Sequence, residues 1–163
     1  MPEKRTIERA RRAKRQGKRP STQAGEFIRE EIHHIREGKH GARSTKQAIA
    51  IGLSKARRSG VRLGPPPKGR AKATTRRSAT YATRAARRHR KPSKARASAV
   101  RRALKREGRG AASRPALSRQ ARQAARRRGP ADRRAAARKA ARTKGRAGRK
   151  AAARKSAASR KAA

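Results

Sequence analysis

The chain has 163 residues, 54 of them Lys or Arg and 8 Asp or Glu, for a formal charge of +46. Ile, Val, Leu and Phe number 13, about 8% of the chain and well below the roughly 20% under which a highly charged sequence is expected to stay unfolded. Alanine accounts for 37 of the hydrophobic residues and brings little area to bury, so one large core is excluded, and most enzyme architectures with it.

There is no Cys, hence no disulfide, thiolate metal site or cysteine nucleophile. No apolar run approaches a membrane span. Met1-Pro2-Glu3-Lys4-Arg5 leads into charge, so a secretory signal is not expected and an intracellular protein is the default reading. The charge is uneven. Residues 1–60 carry 17 basic and 6 acidic residues, and residues 61–163 carry 37 and 2. Phe27 to Ile51 holds six of the 13 large apolar residues, and residues 21–37 hold four of the eight acids, a coincidence that marks the segment able to fold.

Residues 1–19 read as a basic segment able to form a helix over 3–16, with Ile7 as its one large apolar group, ended by Gly17 and Pro20. A second helix is expected from Thr22 to Glu37. Ile28, Ile32 and Ile35 recur at i, i+4 and i+7 on one face, flanked by Phe27 and His34, with Glu30, His33 and Glu37 opposite and Gly38 as C-cap. Ser44 and Gln47 then match a capping box that opens a helix over Thr45–Arg58. Ile49, Leu53 and Ala56 form its face, Gly52 permits close helix approach, and Ile51 on the far side suggests self-association. The fold class is therefore mostly α. A small helical hairpin over about residues 20–63, clasped by Ile7, Val61 and Leu63, precedes a largely disordered, conditionally helical basic tail over 64–163.

Pro65-Pro66-Pro67 opens that tail. Helical pieces remain legible around Val100 and Leu104, from Pro115 to Gly129, and from Asp132 to Lys144. Like charges at i, i+4 oppose them in water, and phosphates would remove the repulsion.

The strongest chemical signal is polyanion binding. Arg gives bidentate contact to phosphate, and the chain has 38 Arg. The residues expected at nucleic acid are Arg43, Lys46, Lys55, Arg57 and Arg58 in the hairpin. In the tail they are Arg76, Arg77, Arg87, Arg88, Arg101, Arg102, Arg126, Arg127, Arg128, Arg133, Arg134, Arg138, Lys139, Arg154 and Lys155. Thr45, Lys46 and Gln47 at a helix N-terminus also allow a bolder helix-turn-helix reading, with an ordinary capped helix favoured over it. Base readout by the tail is not expected, since Asn is absent and Tyr81 is its one aromatic residue. Glu30, His33 and Glu37 share a face but lack a fourth ligand, and His40 and His89 are expected to have no paired carboxylate. No metal, cofactor or catalytic site is expected.

Two stretches carry a resemblance. Gly25-Glu26-Phe27-Ile28-Arg29-Glu30-Glu31-Ile32 and the run from Ala42 to Arg57 resemble small basic bacterial proteins that carry a domain without assigned function and are sometimes labelled plasmid stabilisation proteins. The tail is similar in composition to bacterial histone H1-like proteins, though it prefers Arg. These resemblances imply a cytoplasmic, nucleoid-associated protein. The expected function is non-specific nucleic-acid binding, with DNA favoured and an architectural role by phosphate neutralisation and bridging. RNA or ribosome association is the alternative, and a plasmid-stabilisation partner contacted through the hairpin is a further one. A homo-oligomer through the second hairpin helix is expected, and a membrane partner is not.

Overall fold

A computed structural model describes residues 2–69, 71–88 and 93–161. The described residues are mostly α-helical, with seven α-helices, one short 3₁₀ turn and no strand. They divide into two compact units, Met1–Gln120 and Ala121–Ala163.

In the first unit, α1 (Lys4–Arg15), α2 (Pro20–Arg36) and α3 (Thr45–Arg58) pack with α2 in the middle. Helix α2 begins at Pro20, two residues before the expected start, because proline at the first helical position loses no hydrogen bond. Schellman motifs at Gly38 (φ 77°) and Gly60 (φ 86°) close α2 and α3. In the second, Val61 N–H donates to Ala56 O at 3.1 Å, which folds Val61 back onto the core.

Two small clusters make that core. Ala10, Ala24, Phe27, Ala56 and Val61 form one, with Ile7, Leu53 and Leu63 against it, so the three-residue clasp read from the sequence is present. Ile32, Ile35, Ala42, Ala48 and Ala112 form the other, with Ile28, Ala111 and Leu117 against it. Ile49 is half-buried outside both clusters. A Cβ on Gly52 would stand 2.7 Å from Ile28 Cα, so the glycine lets α3 press on α2. Its close approach is spent within the chain, and self-association would rest on Ile51 alone.

Three features differ from the sequence-based picture. First, Glu30, read as lying opposite the apolar stripe, is buried at 5% exposure, because α1 and α3 cover that side of α2; Glu31 beside it is fully buried. Second, the expected boundary at residue 63 falls inside the first unit. Helix α4 (Ala73–Arg87) packs on α3 and buries Ala79, Ala82 and Ala85, a stripe made of alanine alone. Third, residues 104–112 are tied to the hairpin loop. Gly41 N–H donates to Leu104 O (2.8 Å), Ala42 N–H to Gly108 O (3.1 Å), Thr45 Oγ1 to Ala111 O (2.7 Å) and Arg36 Nε to Ala112 O (2.9 Å). A Cβ on Gly41 would run into the Glu107 carbonyl, so only glycine fits beneath this segment. Helix α5 (Lys94–Arg106) leads into it but buries no residue, and Val100 is exposed.

Helix α6 (Arg114–Arg126) has no fully buried residue; Leu117 packs half-buried against the second cluster, and residues 121–126 are exposed. Helix α7 (Pro130–Lys161) is two stretches meeting at non-helical Gly145 (φ 63°), one residue past the expected stop at Lys144.

Candidate nucleic-acid interface

Packing sorts the charges of the first unit. Acids converge where α1, α2, α3 and the loop after α2 meet. Lys55 Nζ lies 2.6 Å from Glu31 Oε2 and 3.8 Å from Glu30 Oε1. His40 Nε2 lies 3.1 Å from Glu31 Oε1, so His40 does find a carboxylate, through tertiary packing. His34 Nε2 is 2.9 Å from Glu3 Oε1, and Glu3 N–H donates to Glu30 Oε1 at 3.2 Å. The hydrogen bond from His34 holds the Glu3 carboxyl below the usual carboxylate range, with Lys39 reinforcing it. Glu37 pairs with Lys39 (3.0 Å) and in turn raises the lysine above its ordinary value. Glu26 pairs with Arg29 (3.2 Å), and Glu107 lies 3.8 Å from Arg43. Most acids are thus occupied by cations of the same chain, and the remaining exposed charge is overwhelmingly basic.

The expected contact residues of the hairpin separate into two groups. Arg43, Lys46 and Arg58 are exposed. Lys55 and Arg57 are turned inward. Arg57 is buried and donates from Nε to Leu63 O and from Nη2 to Gly64 O, both at 3.2 Å, which ties down the chain after α3. Burial lowers its pKa from the ordinary arginine value. Sequence reading assigned both to phosphate because charge alone does not report direction. The helix-turn-helix reading also loses its residues. Thr45 is buried with its hydroxyl on Ala111 O, and Gln47 Oε1 accepts from Arg43 N–H at 2.8 Å while Gln47 N–H donates to the Ser44 cap. Only Lys46 of the three remains presented.

Helix α4 lines two open depressions that carry arginines. An open groove of about 910 Å³ runs between residues 60–65 and α4, with Arg62, Arg84 and Arg87 on its walls and Arg57 at its base. A second depression of about 450 Å³ lies along the same helix among Arg76, Arg77, Thr80, Tyr81 and Arg84. Arg76 is half-buried, with Nε on Pro66 O at 3.2 Å, and Tyr81 is 52% exposed. Sequence reading found Arg76, Arg77 and Arg87 but missed Arg62 and Arg84, whose importance depends on how α4 docks. The signal for that docking was the i, i+3 alanine spacing at 79, 82 and 85.

Arg88, Arg101 and Arg102 are exposed outside these grooves. Arg126, Arg127, Arg128, Arg133, Arg134, Arg138, Lys139 and Arg154 are exposed along α6 and α7. His89 and the side chain of Lys155 lie outside the described residues. No described helix is long and apolar enough to cross a membrane. No protein-family model matches the chain, and neither a curated protein nor a solved structure does.

Proposed function

We propose that the chain is a non-specific nucleic-acid-binding protein, a bacterial DNA-binding architectural protein of the nucleoid or of plasmid maintenance. The observation that carries this reading is the charge segregation. Glu30 and Glu31 are buried against Lys55 and two histidines, while Arg62, Arg84, Arg87 and, among the described side chains of α6 and α7, Arg126, Arg133, Arg134, Arg138 and Arg154 are exposed. Such a surface attracts phosphate by counterion release and has few means to distinguish bases. The first unit docks one duplex through the α4 face. The C-terminal arginines neutralise a second and bridge the two.

Residues 121–163 act as a conditional helix. Arg122 with Arg126 and Arg134 with Arg138 are like charges at i, i+4, and residues 121–140 are exposed, with no packing that would offset their repulsion. Phosphates remove this penalty, so folding of this region is coupled to binding.

A second reading, RNA binding, is favoured by one feature. Tyr81 is exposed between Arg77 and Arg84 and can stack an unpaired base, as single-strand binders do.

The test is titration of nuclease-treated protein with unrelated DNA duplexes and structured RNA at matched salt. Engagement of about 10 phosphates gives a slope near −9 in log K against log salt on duplex DNA. Similar affinity across duplex sequences is expected. A shallow slope with strong sequence preference would overturn the proposal, and tighter RNA binding at every salt concentration would select the second reading.

A further inference from the structure

We propose that Glu31, His34 and His40 form a binding site for a divalent transition-metal ion of the zinc class, with Glu3 and Glu30 supporting the ring of His34. One ring nitrogen of each histidine and a carboxylate oxygen of Glu31 lie within 4.8 Å of one another. A second set, Glu3, Glu30 and His34, shares His34 and has the same closeness. Five side chains from the α1 cap, α2 and the following loop therefore converge on one place.

The hydrogen bonding around His40 calls for a cation. Its Nδ1 lies 3.0 Å from the Gly41 carbonyl, which can only accept, so Nδ1 carries the proton. In the neutral ring Nε2 then presents a lone pair, and this lone pair faces Glu31 Oε1 at 3.1 Å. Two acceptors at that distance repel unless a proton or a metal ion lies between them. Fixing Nδ1–H on a carbonyl is how metal-ligating imidazoles are oriented, and it leaves Nε2 as the ligand atom beside the Glu31 carboxylate.

Charge gives the second argument. Both oxygens of Glu31 and Oε2 of Glu30 are buried; Glu31 Oε2 meets Lys55 Nζ, Glu31 Oε1 faces His40 Nε2, and Glu30 Oε2 has no hydrogen-bond partner among the described residues. Lys55 forms an ion pair with Glu31 Oε2 but supplies a single positive charge to two buried carboxylates. A divalent ion at Oε1 would compensate the remainder. Two imidazoles with one carboxylate suit zinc, cobalt or nickel rather than magnesium or calcium, which take oxygen ligands. Bonds of about 2.0–2.2 Å in a tetrahedral site place ligand atoms roughly 3.3 Å apart, close to the observed His40–Glu31 spacing. His34 and His40 are 13% and 16% exposed, which leaves an entry path from solvent.

The experiment uses the full chain, freed of nucleic acid by nuclease and high salt so that phosphates do not compete for the ion. Zn²⁺ is titrated calorimetrically, and Co²⁺ is followed by its visible absorption. One ion per chain, a tetrahedral cobalt spectrum and a higher melting temperature with Zn²⁺ are expected. His40→Ala should weaken binding about ten-fold or more, a loss typical of a disrupted metal site. His33→Ala should bind as wild type does, because His33 is exposed on the same helix and outside both sets. Should His40→Ala fail to fold, the wild-type cobalt spectrum and stoichiometry still decide. No saturable binding to wild type, or equal weakening by His33→Ala and His40→Ala, would overturn the site.

Discussion

Lys55 Nζ stands 2.6 Å from Glu31 Oε2 where α3 crosses α2, with the lysine side chain 22% and the glutamate 1% exposed. In a chain of +46 this lysine serves the fold. Removing one partner of a buried pair leaves an uncompensated charge, whereas replacing both by apolar groups does not. Lys55→Ala should therefore destabilise by about 3 kcal/mol, near the low end for buried pairs because the lysine is partly solvated. The double change Lys55→Met with Glu31→Leu should cost less than Lys55→Ala alone. Urea unfolding of the nucleic-acid-free protein measures both, and a milder single than double mutant would argue against the pairing.

Two glycine substitutions should have different consequences. Gly52→Ala drives a methyl group into Ile28 and should destabilise the hairpin by about 1–3 kcal/mol through overpacking. Gly41→Ala collides with the Glu107 carbonyl and should release residues 104–112 while α1, α2 and α3 stay folded. Amide exchange distinguishes them: the amides at positions 41 and 42 lose protection in the second variant, and amides throughout α3 in the first.

Truncation after residue 120 should preserve the helical signal and melting of the packed unit. Truncation after residue 63 should lower the melting temperature, since it strips α4 from α3 and removes the Thr45–Ala111 and Arg36–Ala112 hydrogen bonds. Equal melting of the two fragments would show that α4 and the 104–112 segment add nothing to the fold.

Salt dependence should report the two units separately. Residues 121–163 hold 17 of the 54 basic residues, so their deletion should flatten the slope of log K against log salt without abolishing binding. A charge-preserving scramble of residues 121–161 should bind duplex DNA almost as wild type does. The same operation on residues 73–87 should weaken binding, because it disperses the Ala79, Ala82 and Ala85 face that docks α4. Arg84→Ala should reduce the slope by about 1 if its guanidinium meets a phosphate.

The amino-acid sequence by itself determined the local structure of the hairpin and the electrostatic character of the whole. Isoleucine at i, i+4 and i+7, a Ser44 cap answered by Gln47, and glycines after α2 and α3 are short-range signals that need no tertiary context, and they place α3 at Thr45–Arg58 as observed. Tertiary structure alone decided direction and partnership. Glu30 reads as a solvated residue opposite the apolar stripe until α1 covers it. Lys55 and Arg57 read as phosphate ligands until packing turns them to Glu31 and to the Leu63 and Gly64 carbonyls. Helix α4 has no large apolar residue on its buried face, so the spacing of Ala79, Ala82 and Ala85 was its one sign of docking. Alanine is small enough for two backbones to approach closely, and that contact depends on the shape of α3 as much as on the composition of α4. The same holds at His40, whose carboxylate partner is nine residues away in sequence and 3.1 Å away in space.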